Sequence, residues 1–550
     1  MPVTPTYPGV YIEELPSSVH TITGVATSVT AFVGRAQRGP VNEPTPITSF
    51  SDYDNTFGGL WANSMMSFAV NDFYRNGGAQ AIVVRLAPED AGTASIALGA
   101  NSPSPPESPL SSSYSTLNLQ ASSPGAWGNR VGVIIDLNTK SPSDPTLFNL
   151  TAQYTDPSGT QILASEKFLN LSIDPASARY VVSYLQQNSQ LISVQEDPHN
   201  PGDYIVPGVQ PEATPASVVT PPSSPPQTKV LPQFMTQGAD GSLEITDMDI
   251  VGNQGGKEGL YALENTALFN LLVIPPYNFS GGAPADVDAT VQAAAAAYCV
   301  EREAFFIMDP PSGWTNLASA ANGFSSFSAN IGASGDHAAL YFPMLVEANP
   351  LMDGQLQNFG PSGAVAGMYA RIDAQRGVWK APAGQETALT GVQGLSVLLT
   401  DMENGQLNPM GLNCLRSFPI VGRVLWGART LQGADQLESQ WKYVPVRRTA
   451  LFIEQSLYRG TQWAVFEPND ESLWAQLRLS VGSFMHSLFR QGAFQGNTPQ
   501  TAYFVKCDSE STTQSDIDQG IVNIVVGFAP LKPAEFVIIQ IQQMAGQLQV

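Results

Sequence analysis

Apolar positions along the chain follow three patterns. Continuous apolar runs recur at 29–34 (VTAFVG), 80–86 (QAIVVRL), 268–276 (LFNLLVIPP), 304–311 (AFFIMDPP) and 338–348 (AALYFPMLVEA). Between them lie helical segments: 64–78, stopped by Gly77 and Gly78; 285–303, rich in alanine; and 315–329. Continuous apolar strands alternating with helices predict a mostly parallel sheet covered by helices on both faces, an α/β fold.

The second pattern fills the gap in that series. Residues 93–235 carry clusters of serine and proline near both edges, NSPSPPESPLSSS and PEATPASVVTPPSSPPQ, which behave as linkers or surface loops. Between the clusters, 128–137 and 147–155 read as strands and 177–189 as a helix. This predicts a small, β-rich, outward-facing domain hinged at two proline-rich joints.

The third pattern belongs to the C-terminal third. Two amphipathic helices are expected around 448–466 and 472–492, with apolar residues at i, i+3 and i+4. Strands follow at 520–530 and 535–543, the last containing Phe536, Val537, Ile538, Ile539 and Ile541. The N-terminus mirrors this ending. Pro2, Pro5, Pro8 and Pro16 exclude a helix, so Val10, Tyr11 and Ile12 form an extended strand with no hairpin partner nearby. The expected division is an N-terminal strand arm 1–25, an α/β domain from 26–92 and 236–355, an insert 93–235, a C-terminal domain 356–528 and a C-terminal strand arm 529–550.

Composition narrows the function. Only 13% of the 550 residues are charged, so the surface is one that other proteins cover. The formal net charge of −22 disfavours nucleic acid as a partner. Residues 371–490 are the exception, with 12 Lys and Arg against 10 Asp and Glu, which leaves −24 on the remainder. Arg447, Arg448 and Arg459 there are either parts of a packed helix or a face for an acidic protein partner. Cys299, Cys414 and Cys507, odd in number and far apart, fit reduced thiols. No apolar run is long enough to span a membrane and no signal peptide is evident, so direct membrane insertion is not expected and a cytoplasmic product is.

Catalytic motifs are missing from the sequence. H-E-x-x-H, C-x-x-C and G-x-S-x-G do not occur, and GNQGGKEG fails as a phosphate loop because Glu258 stands where Ser or Thr would bind magnesium. The sharpest enzymatic reading is a hydrolase-like site with Asp309, at the end of a parallel strand, and His337 just before the next. The simpler reading, that Asp309 caps the turn made with Pro310 and Pro311, is preferred. No catalytic, cofactor or metal residue is therefore assigned.

The stretch PSGAVAGMYARIDAQRGVWKAPAG (361–384) adds something specific. Together with YPGVYIEE at the start, ASSPGAWGNRVGV, WKYVPVRRTALFIEQSL and the closing DIDQGIVNIVVGFAPLKPAEFVIIQIQQ, it resembles the tail sheath proteins of contractile phages and related injection systems. The resemblance implies a subunit of stacked hexameric rings around an inner tube, with baseplate and tail-terminator proteins as further partners. Contraction of those rings drives the tube through a target envelope. It also implies a subtilisin-like α/β domain without catalytic residues, and terminal arms that add strands to the C-terminal sheets of neighbouring copies. On this view Val10, Tyr11 and Ile12 find their partner in another subunit, and the neutral-to-basic 371–490 region, with Arg447, Arg448 and Arg459, faces the tube.

Overall fold

The computed structural model describes residues 20–100, 114–219, 227–242, 244–280 and 283–540. The apolar runs assemble into one eight-stranded sheet. Its order is Thr45–Ile47, Ala81–Leu86, Thr30–Arg35, Leu271–Val273, Phe305–Met308, Ala338–Phe342, Asn413–Phe418, Gly422–Leu425. From Ala81–Leu86 to Asn413–Phe418 each neighbour is parallel, and one antiparallel strand closes each edge. Alternate side chains supply two cores. Ala31, Val33, Leu272, Phe306 and Leu340 meet the helices Ala289–Glu301 and Leu317–Ile331 on one face. Phe32, Leu271, Val273, Ile307 and Tyr341 meet Met65–Arg75 and Ser362–Arg376 on the other. Burial on both faces is why these strands read as unbroken apolar runs.

The sheet extends past the boundary expected at 355. Its last two strands come from 413–425, and the helix Ser362–Arg376 lies against it. The strand starting at Asn413 escapes an apolar-run search because its first side chain is a buried amide. Asn413 donates to the carbonyls of Leu340 and Arg429 and accepts from the Arg429 amide. The run 338–348 is also two strands, not one: Ala338–Phe342 stays in the large sheet, while Leu345–Asn349 pairs with Gln355–Phe359 and Gly394–Leu395. Pro343, with no N–H to donate, lies between them.

The segment that most specifically suggested a family is the helix Ser362–Arg376. Two glycines let it approach Met65–Arg75 closely: a Cβ at Gly363 would lie 2.2 Å from the Ala69 carbonyl oxygen, and one at Gly367 2.3 Å from that of Phe73. Spaced by four residues, they line one face of the helix.

The chain leaves this unit after Ala81–Leu86 and returns before Leu271–Val273. Gly92 and Ala239 exchange backbone hydrogen bonds at 2.9 and 3.0 Å, and Ser95 and Thr236 do the same at 2.8 and 3.0 Å. Between these points, a three-stranded sheet (Ser95–Gly99, Thr116–Ala121, Ile192–Val194) and a four-stranded one (Gln233–Phe234, Val131–Asp136, Leu147–Thr155, Ile162–Ser172) enclose a core around Trp127, Phe148 and Leu150. The helix expected at 177–189 runs Val181–Asn188.

The proline-rich stretches are not the joints of this module. The first lies outside the described residues over 101–113 and the second over 220–226, but Gly99 pairs with Thr116 and Val219 with Gln227, so each gap connects two strands within the insert. The joint is the hydrogen-bonded pair of strands at 92–95 and 236–239.

The expected amphipathic helices run Val444–Gly460 and Glu471–Arg490. Pro445 sits in the first turn of one, where its missing N–H costs nothing, and the Asp470 side chain accepts from the Leu473 amide to cap the other. Ile453, Val481, Phe484, Met485 and Leu488 pack between them, against the hairpin Tyr503–Lys506 and Val525–Phe528. Ile22 joins this core, His20 stacks on Trp463 with ring centroids 3.8 Å apart, and the Val25 amide donates to Ser456 Oγ at 3.2 Å. The described end of the N-terminal arm thus packs on its own subunit. Val10, Tyr11, Ile12 and Ile541 lie outside the described residues. Among the described residues no helix is long and apolar enough to cross a membrane.

Candidate functional site

The hydrolase-like reading fails on geometry. Asp309 follows the C-terminal end of Phe305–Met308, whereas His337 precedes the N-terminal end of the parallel neighbour Ala338–Phe342, with Phe306 opposite Ala338. At about 3.3 Å per residue, the two are roughly 10 Å or more apart along the sheet. Each has its own task. Asp309 accepts from the Ser362 amide (2.7 Å) and hydroxyl (2.8 Å), so it caps the helix Ser362–Arg376 from a distant strand. The turn with Pro310 and Pro311 is not what its carboxylate binds. Burial pushes its pKa up to about 6 even against those hydrogen bonds. A Cβ at Gly360 would come within 2.4 Å of this carboxylate, so the residue before Pro361 has no room for a side chain.

His337 is buried between Asp336 and Arg447. Its Nδ1 lies 2.8 Å from Asp336 Oδ1, and its Nε2 lies 2.5 Å from an Arg447 guanidinium nitrogen. A guanidinium only donates, so Nε2 accepts and Nδ1–H donates to Asp336. Arg447 also stacks over Trp441 at 4.6 Å and faces Glu454 at 3.7 Å. The group ties the helix Val444–Gly460 to the start of the interior strand Ala338–Phe342.

The three arginines expected to face a partner divide. Arg448 is 3% exposed, pairs with Asp373 at 2.6 and 2.9 Å, donates to the Thr27 carbonyl and covers Tyr369 at 4.8 Å. It is therefore a bolt joining two helices and the N-terminal segment, and its expected place on a tube-facing surface is corrected. A sequence pattern shows a charge but not the Asp373 that consumes it. Arg447 is mostly consumed by the His337 group. Arg459 is exposed, bonded to the carbonyl of Ala267 and to Gln455. Cys299, Cys414 and Cys507 are free and buried, and burial raises the last two thiols to about 12 and about 11.

What remains unpaired is at the end of the chain. After Val525–Phe528, the Ala529 amide donates to the Ala502 carbonyl and Pro530 bridges to Phe494. Residues 531–536 then cross a groove of about 690 Å3 lined by Trp379, Lys380, Trp426 and Gln491. Beyond it Phe536, Val537, Ile538 and Ile539 are 74–82% exposed, and 531–540 form no strand. Over its described part, the strand expected at 535–543 therefore has no pairing among the described residues. The residue just before it is anchored. Arg429, fully buried, donates through Nε and Nη2 to the two carboxylate oxygens of Glu535 at 2.8 and 2.5 Å. Its Nη1 serves Asn408, Gly433 and Asp435. Nothing in the sequence links positions 106 residues apart, so this contact was not legible there.

The class these features belong to is given by comparison with known proteins. Residues 437–544, the two-helix unit, the hairpin and the unpaired tail, match the phage tail sheath C-terminal domain. The chain is 29% identical over 269 residues to the tail sheath protein of Burkholderia phage BcepMu, covering 46% of this chain and 54% of that protein. It is 25% identical over 177 residues to the tail sheath protein of Vibrio phage KVP40, covering 32% of this chain and 25% of that protein. The chain thus matches about half, or less, of the length of these relatives. The fold extends the likeness to nearly the whole chain. The sheath of an extracellular contractile injection system, the PVC sheath complex in its contracted state, superposes with a TM-score of 0.55 at 21% identity, covering 98% of both chains. The chain is thus similar to contractile tail sheath proteins, in sequence most specifically over 437–544 and in fold over nearly its whole length.

Proposed function

We propose that the protein is the structural subunit of a contractile sheath. Copies polymerise as stacked six-membered rings around an inner tube, between a baseplate and a tail terminator, and contraction drives the tube through a target envelope. The observation that carries this reading is the tail Phe536–Ile539, four apolar side chains in water beside a two-stranded hairpin with open edges. Burying them on a second copy recovers about 25 cal/mol per Å2 of apolar surface and satisfies the backbone of an added strand. The N-terminal strand Val10, Tyr11 and Ile12 is assigned the same use on another neighbour.

In this reading the α/β unit is a rigid, subtilisin-like body without a catalytic centre, the insert 93–235 points outward, and assembly takes place in the producing cell's cytoplasm. The C-terminal unit faces the tube through Arg459 and its surroundings, without Arg448. Flexible arms keep subunits joined while the bodies rotate, and a few kcal/mol gained per copy in the contracted lattice sums over many copies without nucleotide.

The test is expression with the tube partner followed by electron microscopy. Hollow cylinders with six-fold symmetry are expected. A chain that stays monomeric at high concentration with the tube present overturns the reading.

A further inference from the structure

Arg429 and Glu535 do more than add one ion pair to the surface. Arg429 sits between the strand Gly422–Leu425 and the helix Val444–Gly460, with no exposed surface of its own. Every one of its polar groups is satisfied: Nε and Nη2 by the fork of Glu535, Nη1 by the Asn408 and Gly433 carbonyls and by Asp435. Tyr443 adds a bond from its hydroxyl to Glu535 Oε2 at 3.4 Å. A bidentate guanidinium–carboxylate pair fixes direction as well as distance. The next four side chains are in water.

We propose that this pair is a clasp. It fixes the root of the C-terminal arm to the large sheet, so that the strand beginning at Phe536 leaves the subunit in one direction and one register, and so that tension on the arm passes into the sheet rather than peeling the hairpin Tyr503–Lys506 and Val525–Phe528. The inference rests on the sheath reading for its partner, a second copy of this chain, and adds which residues hold the arm against it. Register matters because slipping a strand by one residue exchanges its two faces. Residues 536–550, extended at about 3.3 Å each, reach about 50 Å, so a loose root would let the arm sample many sites.

The test uses the full chain carrying Ala534→Cys with a nitroxide label. Ala534 is exposed and the native thiols are buried, so labelling is selective. In the free subunit the label is held by the clasp, and Glu535→Ala is expected to shorten its rotational correlation time at least threefold. Glu535→Gln, which keeps an acceptor without the charge, falls between. Both variants leave Arg429 in place, avoiding a core change that prevents folding. An unchanged spectrum in Glu535→Ala overturns the clasp, because Leu531 and Pro533 would then suffice.

Cylinder yield and length are read separately. The expected result for Glu535→Ala is at least a fivefold loss of cylinders, read well below a melting temperature that falls because Arg429 keeps Asp435 but loses its second carboxylate; Glu535→Gln, which still accepts from Arg429, is expected to lose cylinders with a smaller drop. A loosened label with undiminished cylinders overturns the role in assembly. A parent chain that builds no cylinders overturns the sheath reading and leaves the clasp to the free-subunit measurement.

Discussion

Leu271–Val273 and Phe536–Ile539 are built from the same kind of residue and meet opposite fates. The first lies in the middle of the large sheet with no exposure, and the second is 74–82% exposed. Strand propensity is the same in both. The difference is supply: parallel neighbours and two helical layers wait for Leu271–Val273 in its own chain, whereas nothing among the described residues pairs with Phe536–Ile539. An apolar strand states that a partner is needed, not whose chain provides it.

The sharpest way to break this contrast is to damage the interior. Arg448→Met leaves the buried Asp373 carboxylate without its counter-charge, and removing one member of a buried pair costs about 3–5 kcal/mol. A urea midpoint lowered to match is expected, together with unchanged tube affinity in whatever folded protein remains. Weakened tube binding at full stability would return Arg448 to the surface.

Gly363→Val comes next. Its Cβ would meet the Ala69 carbonyl at 2.2 Å, so the helix pair must separate, at about 2–3 kcal/mol. Calorimetry should show the lower melting temperature, and a variant melting like the parent would mean the helices are not in contact there.

Asp309 sharpens the contrast through pH. Its folded pKa of about 6 lies above the ordinary 3.8, so its contribution is fully present below 3.8 and is lost as pH rises through 6. A shift of about two units corresponds to roughly 3 kcal/mol at most. Asp309→Asn still accepts from the Ser362 amide, and it should flatten stability between pH 4 and 7. Parallel pH profiles for parent and variant would assign that slope to other groups, the buried Asp72 and Glu347 first, since burial and their mutual repulsion raise Asp72, and burial raises Glu347.

The smallest effect on stability belongs to the exposed tail. Ile538→Ser should change the unfolding free energy by less than about 0.5 kcal/mol while preventing cylinders. A large loss of stability would mean that the tail is packed in its own subunit.

The sequence pattern reveals most of this architecture because the large sheet is apolar on both faces and its helices are periodic. Strands 30–35, 81–86 and 305–308 follow directly from continuous runs. It fails where polar groups are buried in satisfied pairs. Asn413 hides a sheet strand, and Asp373 converts Arg448 from a surface charge into a core contact. Glu535 looks like the polar edge of a strand and is the residue that holds it. The exposed tail is legible as apolar, but its anchor depends on a contact between residues far apart in sequence.

The pairing of 92–95 with 236–239 has a consequence for how such a molecule changes over time. A long excursion between two strands of one sheet ordinarily adds closure entropy that grows with its length. Here the excursion is stapled shut at its base by four backbone hydrogen bonds, so to the large sheet it counts as a short turn whatever lies beyond. The insert can lengthen, shrink or be exchanged for another with adjacent ends while strands 81–86 and 271–273 keep their places. Its surface is thus free to diverge, while the large sheet from which it departs stays constant.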